Sequence, residues 1–394
     1  MDTPSHSSPL SRLLVFLMAA TTGLVVASNY YAQPLLHTIA EQLDLSYARA
    51  GIIVTTAQAS YAVGLILLVP LGDLLERRRL IVTMMLIATA GLLISATARS
   101  LPWLLAGTAI TGAFSVVAQV LVPFAASLSP VARRGQVVGT VMSGLLLGIL
   151  LARTVAGLLS SLGDWHTVYW VAAGLMLLNT LALWRMLPRV RQGAQMHYLR
   201  LIGSIAGLFR TYPVFRQRAL LGCLIFAMFS VLWTSLAFLL SAEPWHFSDA
   251  TIGLFGLAGA AGALAARGAG TLADRGHGQR MTLLGTLALL VSWGLLGLGG
   301  INLIALVAGI VLLDLALQAV HITNMNLILT LDASARNRLN SGYMFLYFLG
   351  GASGSLASAA AYEHYGWNGV CLLGAALGSA ALLHALLMRH NEKN

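Results

Sequence analysis

The stretch GDLLERRRL, residues 72–80, places Asp73, Glu76 and three consecutive arginines between two long apolar runs. Only 9% of the 394 residues are charged, so this concentration of ionic groups indicates a specific role. Arginines beside an apolar run are typical of the cytoplasmic end of a membrane span. The stretch therefore predicts a short cytoplasmic connection between two transmembrane helices, and its two acids need a separate explanation.

The composition of the whole chain also indicates a membrane protein. Hydrophobic residues make up 58% of the sequence, which is more apolar surface than a soluble globule hides from water. Apolar segments of about 20 residues, enough to cross about 30 Å of hydrocarbon as a helix, recur along the chain. We predict twelve spans, with the ninth and tenth divided at Gly299-Gly300: 13–36, 47–71, 80–98, 101–124, 137–160, 167–187, 218–240, 250–270, 281–299, 301–328, 340–361 and 367–388.

The basic residues lie mainly in alternate connections between these spans. With the N-terminus inside, 20 of the 23 basic residues fall in cytoplasmic segments, leaving Arg49 and Arg99 outside and Arg153 within a span. This bias predicts that both termini are cytoplasmic. It also accounts for the net charge of +10, so no nucleic-acid partner is needed.

The second half of the sequence repeats landmarks of the first. The pairs are separated by 201 or 202 residues: Asp73 and Asp274, Arg134 and Arg336, Trp165 and Trp367. A common register predicts a duplicated six-helix unit. The expected division is an N-terminal bundle at 1–187, a cytoplasmic linker at 188–217 and a C-terminal bundle at 218–394. Within the linker, YLRLIGSIAGLFR fits either an interfacial helix or a plain solvated connection.

The opening stretch, read as VPLGDLLERRR, resembles the G-x-L-A-D-R-x-G-R-R motif of the major facilitator superfamily. Its second copy is GAGTLADRGHGQR, residues 268–280. The resemblance implies an all-α membrane protein with twelve transmembrane helices in two pseudo-symmetric six-helix bundles. Two further stretches, NYYAQPLL and RLNSGYMFLYFLGGASGS, resemble the drug or sugar exporter group, in particular its uncharacterised bacterial YnfM and YgaY type.

The two motif copies predict a gating latch at the cytoplasmic side. An aspartate at a span end accepts charge-assisted hydrogen bonds from arginines and from the N-terminus of a neighbouring helix, which holds the two halves together inside. The alternative is a simple charge anchor, but this does not explain why both aspartates repeat in register. The latch candidates are Asp73, Arg77, Arg78, Asp274, Arg275 and Arg280.

The fifth span, GTVMSGLLLGILLARTVAG, resembles the glycine-rich antiporter motif of drug:proton exporters, but Arg153 replaces the usual proline. This replacement weakens the assignment to proton-driven drug export. A basic group within a span faces a cavity or pairs with an acid. We expect Arg153 to pair with a substrate anion or an aspartate. The alternatives are a tie to backbone carbonyls and snorkelling of the side chain towards the outer face.

Asp314 is the only acid well inside a predicted span. Asp314, Gln318 and His321 follow at i, i+4 and i+7, which places them on one helical face. A carboxyl group in that position can carry a proton and release it when the cavity opens to the other compartment. Asp314 and His321 are therefore the proton-coupling candidates, and a polar patch that locks helices together is the alternative.

Further polar and aromatic residues of the spans predict the lining of a substrate cavity. The set combines both halves of the chain, as a site between two bundles requires. With Arg153 and Gln318, the candidates are Asn29, Tyr30, Gln33, Gln58, Tyr61, Gln119, Trp233, Asn324, Tyr343 and Tyr347.

The sequence contains no phosphate-binding loop and no metal-binding motif, so we expect no cofactor and no enzyme activity. The expected function is secondary active transport of a small molecule by alternating access in the cytoplasmic membrane of a bacterium. Proton-coupled efflux is the favoured mode, and proton symport, passive facilitation, lipid translocation or a transport-inactive sensor are the alternatives. The expected partners are the small molecule, protons and the lipid bilayer, with the protein acting as a monomer.

Overall fold

The computed structural model describes residues 11–190, 198–265, 278–332 and 335–391. Every regular element in these ranges is helical. The α-helices are α1 Arg12–Ala27, α2 Leu36–Gln42, α3 Tyr47–Leu67, α4 Arg77–Ala96, α5 Leu101–Phe114, α6 Val117–Leu128, α7 Arg134–Ser160, α8 Trp165–Met186, α9 Tyr198–Thr211, α10 Pro213–Ser241, α11 Asp249–Ala265, α12 Gly278–Gly297, α13 Leu303–Leu329 and α14 Arg336–Asn391. Short 3₁₀ turns are Gln33–Leu35, Val69–Asp73, Val131–Arg133 and Leu298–Gly300.

The described helices account for all twelve predicted spans. Among the described residues, nine helical stretches are long and apolar enough to cross a membrane, and one of them, Arg336–Arg389, contains two helices separated at Gly366. Gly366 has a φ of 60°, in the left-handed region that favours glycine. The shorter helices α1 and α11 occupy the first and eighth predicted spans. The predicted all-α membrane fold is confirmed.

Two predicted spans are interrupted. The first divides after α1, where turns lead into the 3₁₀ segment Gln33–Leu35, because Pro34 has no N–H to continue an α-helix. The fourth consists of α5 and α6, separated by Ser115 and Val116. The predicted division of the ninth and tenth spans agrees with the 3₁₀ turn Leu298–Gly300.

Side-chain caps define several helix starts. Ser46 begins α3, Asp164 begins α8 with a capping box, and Asn302 accepts from two backbone N–H groups of α13. At α4 the cap is Glu76, whose carboxylate accepts from the N–H groups of Arg78 and Arg79. This contact explains one of the two acids in the opening stretch, because a carboxylate satisfies the free N–H groups of a helix start.

The helices form two groups, and the groups contact each other mainly through two pairs of helices. In the first group α1 packs on α7, and α4 packs on α5 and α8; in the second, α10 packs on α14, and α13 packs on α11 and α12. The groups touch mainly where α3 packs on α14 and α7 packs on α11. Large apolar side chains such as Leu178, Leu284 and Leu372 are exposed on the outside, as lipid contact requires. A site between the two groups is therefore expected among α3, α7, α10, α11, α13 and α14.

Part of the expected linker forms helix α9, which packs one face on the two bundles. Leu201, Ile205 and Leu208 are buried on one face, whereas Leu199 is 68% exposed. Helix α9 packs on α10, on α14 and on the 3₁₀ turn Val69–Asp73. The starts of α4, α7, α10 and α14 carry Arg77, Arg134, Arg216 and Arg336. We call this end of the molecule the basic side and the other end, which contains Gln42, Asp164 and Asn302, the opposite side.

Candidate functional site

Arg153 is buried where the two bundles meet. Its side chain is 3% exposed, and Nε donates a hydrogen bond of 2.7 Å to Oε1 of Gln33. Its guanidinium carbon lies over three aromatic rings, 3.9 Å from the centroid of Trp233, 5.1 Å from Tyr30 and 5.2 Å from Phe229. At such distances the negative faces of the rings attract a guanidinium group. Arg153 is therefore held by residues of both bundles.

Asp314 lies beside this guanidinium, near the middle of α13. It is 5% exposed and interacts electrostatically with Arg153. The two charged groups form no direct salt bridge in the described structure, and Asp314 Oδ1 has no hydrogen-bond partner among the described residues. The predicted proximity of Arg153 to an aspartate is present, but the pair does not make a direct salt bridge.

Helix α11 allows these groups to come close because it presents glycines to them. A Cβ atom on Gly256 would lie 3.1 Å from the Cβ of Arg153. A Cβ on Gly259 would overlap Asp314 Oδ2 and lie 2.8 Å from the Trp233 ring. A side chain at Gly259 would displace the Asp314 carboxylate or the Trp233 ring, and one at Gly256 would be tight against α7.

We define the central cluster as Tyr30, Gln33, Arg153, Phe229, Trp233 and Asp314. Several of its polar atoms lack hydrogen-bond partners within the described residues, among them Arg153 Nη2 and Gln33 Nε2. Leaving a buried polar group unpaired costs on the order of 1–3 kcal/mol. The cavity bordered by Gln33, Arg153 and Trp233 is only about 10 Å³, room for a single water at most. The cluster is thus polar, unsatisfied and closed in this conformation.

A second group of predicted residues lies further along the same helices. His321 Nδ1 is 3.0 Å from Oη of Tyr343, and the His321 ring is 4.8 Å from Tyr347. Gln318 is partly buried on α13 between Asp314 and His321. Asp314 and His321 therefore share a helix but contact different partners.

A continuous series of ring contacts joins this second group to the central cluster. Phe226 stacks on Tyr347 at 4.0 Å and on Phe229 at 5.2 Å. On its other side, Phe226 lies 5.1 Å from Phe348, which is 4.3 Å from Tyr61. Tyr61 Oη in turn accepts a hydrogen bond of 3.4 Å from Gln119. The rings of both bundles form a layer, which we call the ring layer: Tyr61, Phe226, Tyr347 and Phe348.

On the basic side of the ring layer there is a cavity of about 360 Å³. Its walls come from both bundles and from α9, and they include Asp73, Arg77, Gln119, Arg338 and Asn340. The volume is in the range of small-molecule sites, about 300–1,000 Å³. Gln119 lines this cavity and donates a hydrogen bond to Tyr61 of the ring layer, so the cavity ends at the layer.

Among the described latch residues, Asp73 and Arg77 contact each other and other residues of the first bundle. Arg77 is buried and lies 3.8 Å from Asp73, while its Nε donates to the carbonyl of Gly72 and its Nη1 to Ser127. Arg78 is partly buried and Arg280 is exposed. Asp274 and Arg275 lie outside the described residues. The latch between halves stays a prediction, and the contacts observed here tie α4 to the 3₁₀ turn and to α6.

The remaining predicted residues lie apart from the central cluster. Asn29 lines a small cavity of about 10 Å³ inside the first bundle with Ser28 and Thr108. Gln58 is fully buried in α3, and neither of its amide atoms has a hydrogen-bond partner in the described part of the chain. Asn324 lies with Arg218 on the basic side of the second bundle.

Arg218 departs from its expected place. The charge pattern counts it among the cytoplasmic arginines, but it is 1% exposed inside α10. Its guanidinium donates to Thr282 Oγ1 at 2.7 Å and to Gln279 Oε1 at 3.0 Å. These polar partners on α12 replace water, which is why an arginine can be buried at this helix end.

Sequence reasoning also missed a set of hydrogen bonds between the bundles on the opposite side. We call the hydrogen bonds of Asp249 and Glu363 the clamp. Asp249, the first residue of α11, accepts hydrogen bonds from Thr38 at 2.7 Å and from Ser160 at 2.9 Å. The N–H of Ala48, at the start of α3, donates to Glu363 at 2.6 Å. Each bond joins one bundle to the other. In sequence, Asp249 and Glu363 look like ordinary acids at span ends, and no local pattern reveals the partners.

Phe226 and Phe229 were missed as well, although a signal was present. With Trp233 they recur at spacings of three and four on α10, which places them on one helical face. An aromatic helix face is more often part of a hydrophobic core. Only the contact with Arg153 of the other bundle shows that this face belongs to the candidate site.

The chain is similar to known transporters over its whole length. The family model of the Major Facilitator Superfamily matches residues 16–354. The uncharacterized transporter YgaY of Escherichia coli O157:H7 is 57% identical over 97% of this chain and 97% of that protein. The inner membrane transport protein YnfM of Escherichia coli K12 is 27% identical over 90% of this chain and 86% of that protein. The crystal structure of the nucleoside transporter NupG has a TM-score of 0.76, covers 95% of this chain and 98% of that chain, and is 14% identical.

Proposed function

We propose that this chain, which belongs to the Major Facilitator Superfamily, exports a small molecule by proton-coupled alternating access, with Asp314 as the proton carrier. Membership makes the chain a multi-pass membrane protein and a secondary transporter of a small molecule, not an enzyme. It also confirms the resemblance carried by VPLGDLLERRR. Beyond this, we propose the direction of transport, its coupling to protons and the role of Asp314 as the proton carrier.

The proposed orientation places the basic side in the cytoplasm, with both termini there, because arginines are retained on that side of a bacterial membrane. The cavity of about 360 Å³ then opens towards the cytoplasm, as an exporter needs for loading. We propose that residues 1–187 and 218–394 of a monomer rock against each other, with 188–217 as the linker. The clamp of Asp249 and Glu363 closes the outside in this conformation.

A single observation carries the proposal. Asp314 is a buried carboxyl group on α13, at the contact between the bundles, with Oδ1 unpaired among the described residues and no direct salt bridge. A carboxyl group in this environment exchanges its proton when water reaches it, because Arg153 attracts its charge only from a distance and Oδ1 has no hydrogen-bond partner among the described residues. Rocking of the bundles exposes the centre to one compartment at a time and supplies that water.

The test uses inverted membrane vesicles and a pH-sensitive dye. Vesicles containing the intact chain are energised and treated with a panel of sugars, organic cations and carboxylates. We expect at least one solute to release protons from the lumen, and we expect Asp314→Asn to lose this release. Asp164→Asn is the matched control, since Asp164 caps α8 at the surface. Unchanged release from a normally inserted Asp314→Asn would refute the role of Asp314.

Proton symport is the second candidate, and Arg153 favours it. When Asp314 takes up a proton, the positive charge of Arg153 remains without its nearest counter-charge. An anionic solute and a proton can then occupy the cluster together. In vesicles without an imposed gradient, solute added outside draws protons out of the lumen by antiport and into the lumen by symport, so the sign of the dye response separates the two modes.

A further inference from the structure

We infer that the central cluster is a binding site for an organic anion, a carboxylate attached to a flat apolar body. This inference rests on the proposed transport function, since it names the substrate class of the same site, and it fits the symport candidate, in which the anion binds while Asp314 carries a proton. Three observations support the inference. They are the charge balance of the cluster, the aromatic rings around the guanidinium of Arg153, and the unpaired hydrogen-bond donors of Arg153 and Gln33.

The charge balance favours an anion. Arg153 is buried, its Nε donates a hydrogen bond to a neutral amide, and Asp314 compensates its charge only from beyond ion-pair distance. Tyr30 and Tyr347 are the other titratable groups near these two residues in the described part of the chain, and both phenols are uncharged at neutral pH. A carboxylate placed at Arg153 would complete a charge-assisted pair. A cation would instead face the guanidinium as a like charge.

The unpaired donors provide the geometry for a carboxylate. Arg153 Nη2 and Gln33 Nε2 have no hydrogen-bond partner in the described ranges, and both belong to residues less than 4% exposed. The two side chains are joined by the bond from Arg153 Nε to Gln33 Oε1, so their free donors are held near each other. A carboxylate has two oxygens that accept such bonds, whereas a cation has no acceptor.

The aromatic rings indicate the apolar part of the ligand. Trp233, Tyr30 and Phe229 surround the guanidinium, and Phe229 continues through Phe226 into the ring layer. Flat apolar groups stack on such rings. The ligand therefore needs a charged head at Arg153 and a planar body along the rings, reached from the cavity of about 360 Å³ when the ring layer opens.

Binding measured on the purified full-length protein in detergent tests this without any gradient. Three probes share one ring and differ in charge: benzoate, benzamide and benzylammonium. We expect titration calorimetry and thermal stabilisation to detect benzoate, and 1-naphthoate more strongly. The uncharged and cationic probes should bind at least about tenfold more weakly. Equal binding of all three, tighter binding of benzylammonium, or no carboxylate binding up to the solubility limit would overturn the inference.

Variants assign the binding to the cluster. Arg153→Gln should weaken carboxylate binding by about 100-fold, as expected when one partner of a buried charge pair is removed, while Arg153→Lys should retain part of it. Asp314→Asn removes the competing carboxylate and should bind benzoate at least as tightly as the intact chain. If Arg153→Gln does not fold, Gln33→Leu is the second variant and should weaken benzoate binding without changing the weak binding of benzylammonium. A folded Arg153→Gln, or Gln33→Leu in its place, that binds benzoate normally would also overturn the inference.

Different results would refute the proton role of Asp314 and the anion site at Arg153. If carboxylates bind through Arg153 but Asp314→Asn leaves proton movement unchanged, the proton role is wrong and the anion site stands. If Asp314→Asn abolishes proton movement driven by a solute that is not an anion, the anion site is wrong and the proton role stands.

Discussion

The two ends of the interface between the bundles differ in how they are closed. On the opposite side, hydrogen bonds of Asp249 and Glu363 cross the interface, and Gly51 packs directly on Ala359. On the basic side, a cavity of about 360 Å³ separates the bundles. The closed end thus depends on contacts between small residues and a few polar bonds, which are contacts that a rocking motion can break.

We call the contact surface between the bundles on the opposite side the seam, and glycines at this surface let the helices come close. A Cβ on Gly51 would overlap the Cβ of Ala359, and a Cβ on Gly157 would overlap the backbone of Asp249. Thr154 adds a hydrogen bond of 2.9 Å to the carbonyl of Gly253. Because backbone touches backbone here, the seam has little room to adapt to added volume.

The largest effect should come from Gly51→Val. The added side chain cannot fit against Ala359, so the opposite side should remain open, and the closed population should fall by about 10- to 100-fold given the cost of overpacking. Spin labels at the exposed residues Leu162 and Tyr365, with Cys223 and Cys371 replaced by serine, report the distance between the bundles on that side.

The matched control for Gly51→Val is Gly174→Val. A Cβ on Gly174 meets no atom within 4 Å, so the same substitution there should leave the label distance unchanged. A distance in Gly51→Val equal to that of the intact chain would show that the seam tolerates volume, and the comparison between the two ends would lose its basis.

A smaller effect is expected for Asp249→Asn. The variant keeps one acceptor but loses the charge, and hydrogen bonds to charged groups contribute about 1.5–3 kcal/mol each. We expect about a tenfold shift towards opening on the opposite side, measured with the same labels. Asp164→Asn controls for the lost charge, because Asp164 contacts His166 in its own bundle. Identical distances in the two variants would argue against a clamp.

The smallest effect is expected at the open end, for Asp73→Asn. Its ion pair with Arg77 is 3.8 Å long and half-exposed, so losing it should cost about 1 kcal/mol or less. The protein should insert normally, while transport in the vesicle assay should fall severalfold because the inside latch is weakened. Glu76→Gln keeps the helix cap and serves as the control. Normal flux from Asp73→Asn would refute the latch.

Sequence patterns predicted the helices well because each span is a local property. Length, apolar content and arginine placement identified twelve spans, and Asn302 or Ser46 mark their starts by residue type. The interruptions of the first and fourth spans were missed, since each covers only a few residues within a long segment that is apolar on average. Helix ends depend on capping and on proline, which the hydropathy pattern does not register.

The site was only partly predictable. Arg153 and Asp314 stood out because charges inside spans are rare, and the structure brings them together at the bundle contact. Sequence gave no indication that Asn324 lies with Arg218, that Asn29 faces the interior of one bundle, or that Asp249 crosses to the other. These outcomes depend on which helix faces which.

The sequence by itself determined that the chain is a membrane protein, where its helices lie, that it is duplicated, and that it belongs to a transporter superfamily. These properties follow from local composition and from repeated motifs. Only the tertiary structure decided that Arg153 meets Trp233 and Gln33, that the opposite side is closed, and that a cavity remains on the basic side. The physical reason is that such contacts join residues far apart in the chain, and packing between helices, rather than any local pattern, selects them.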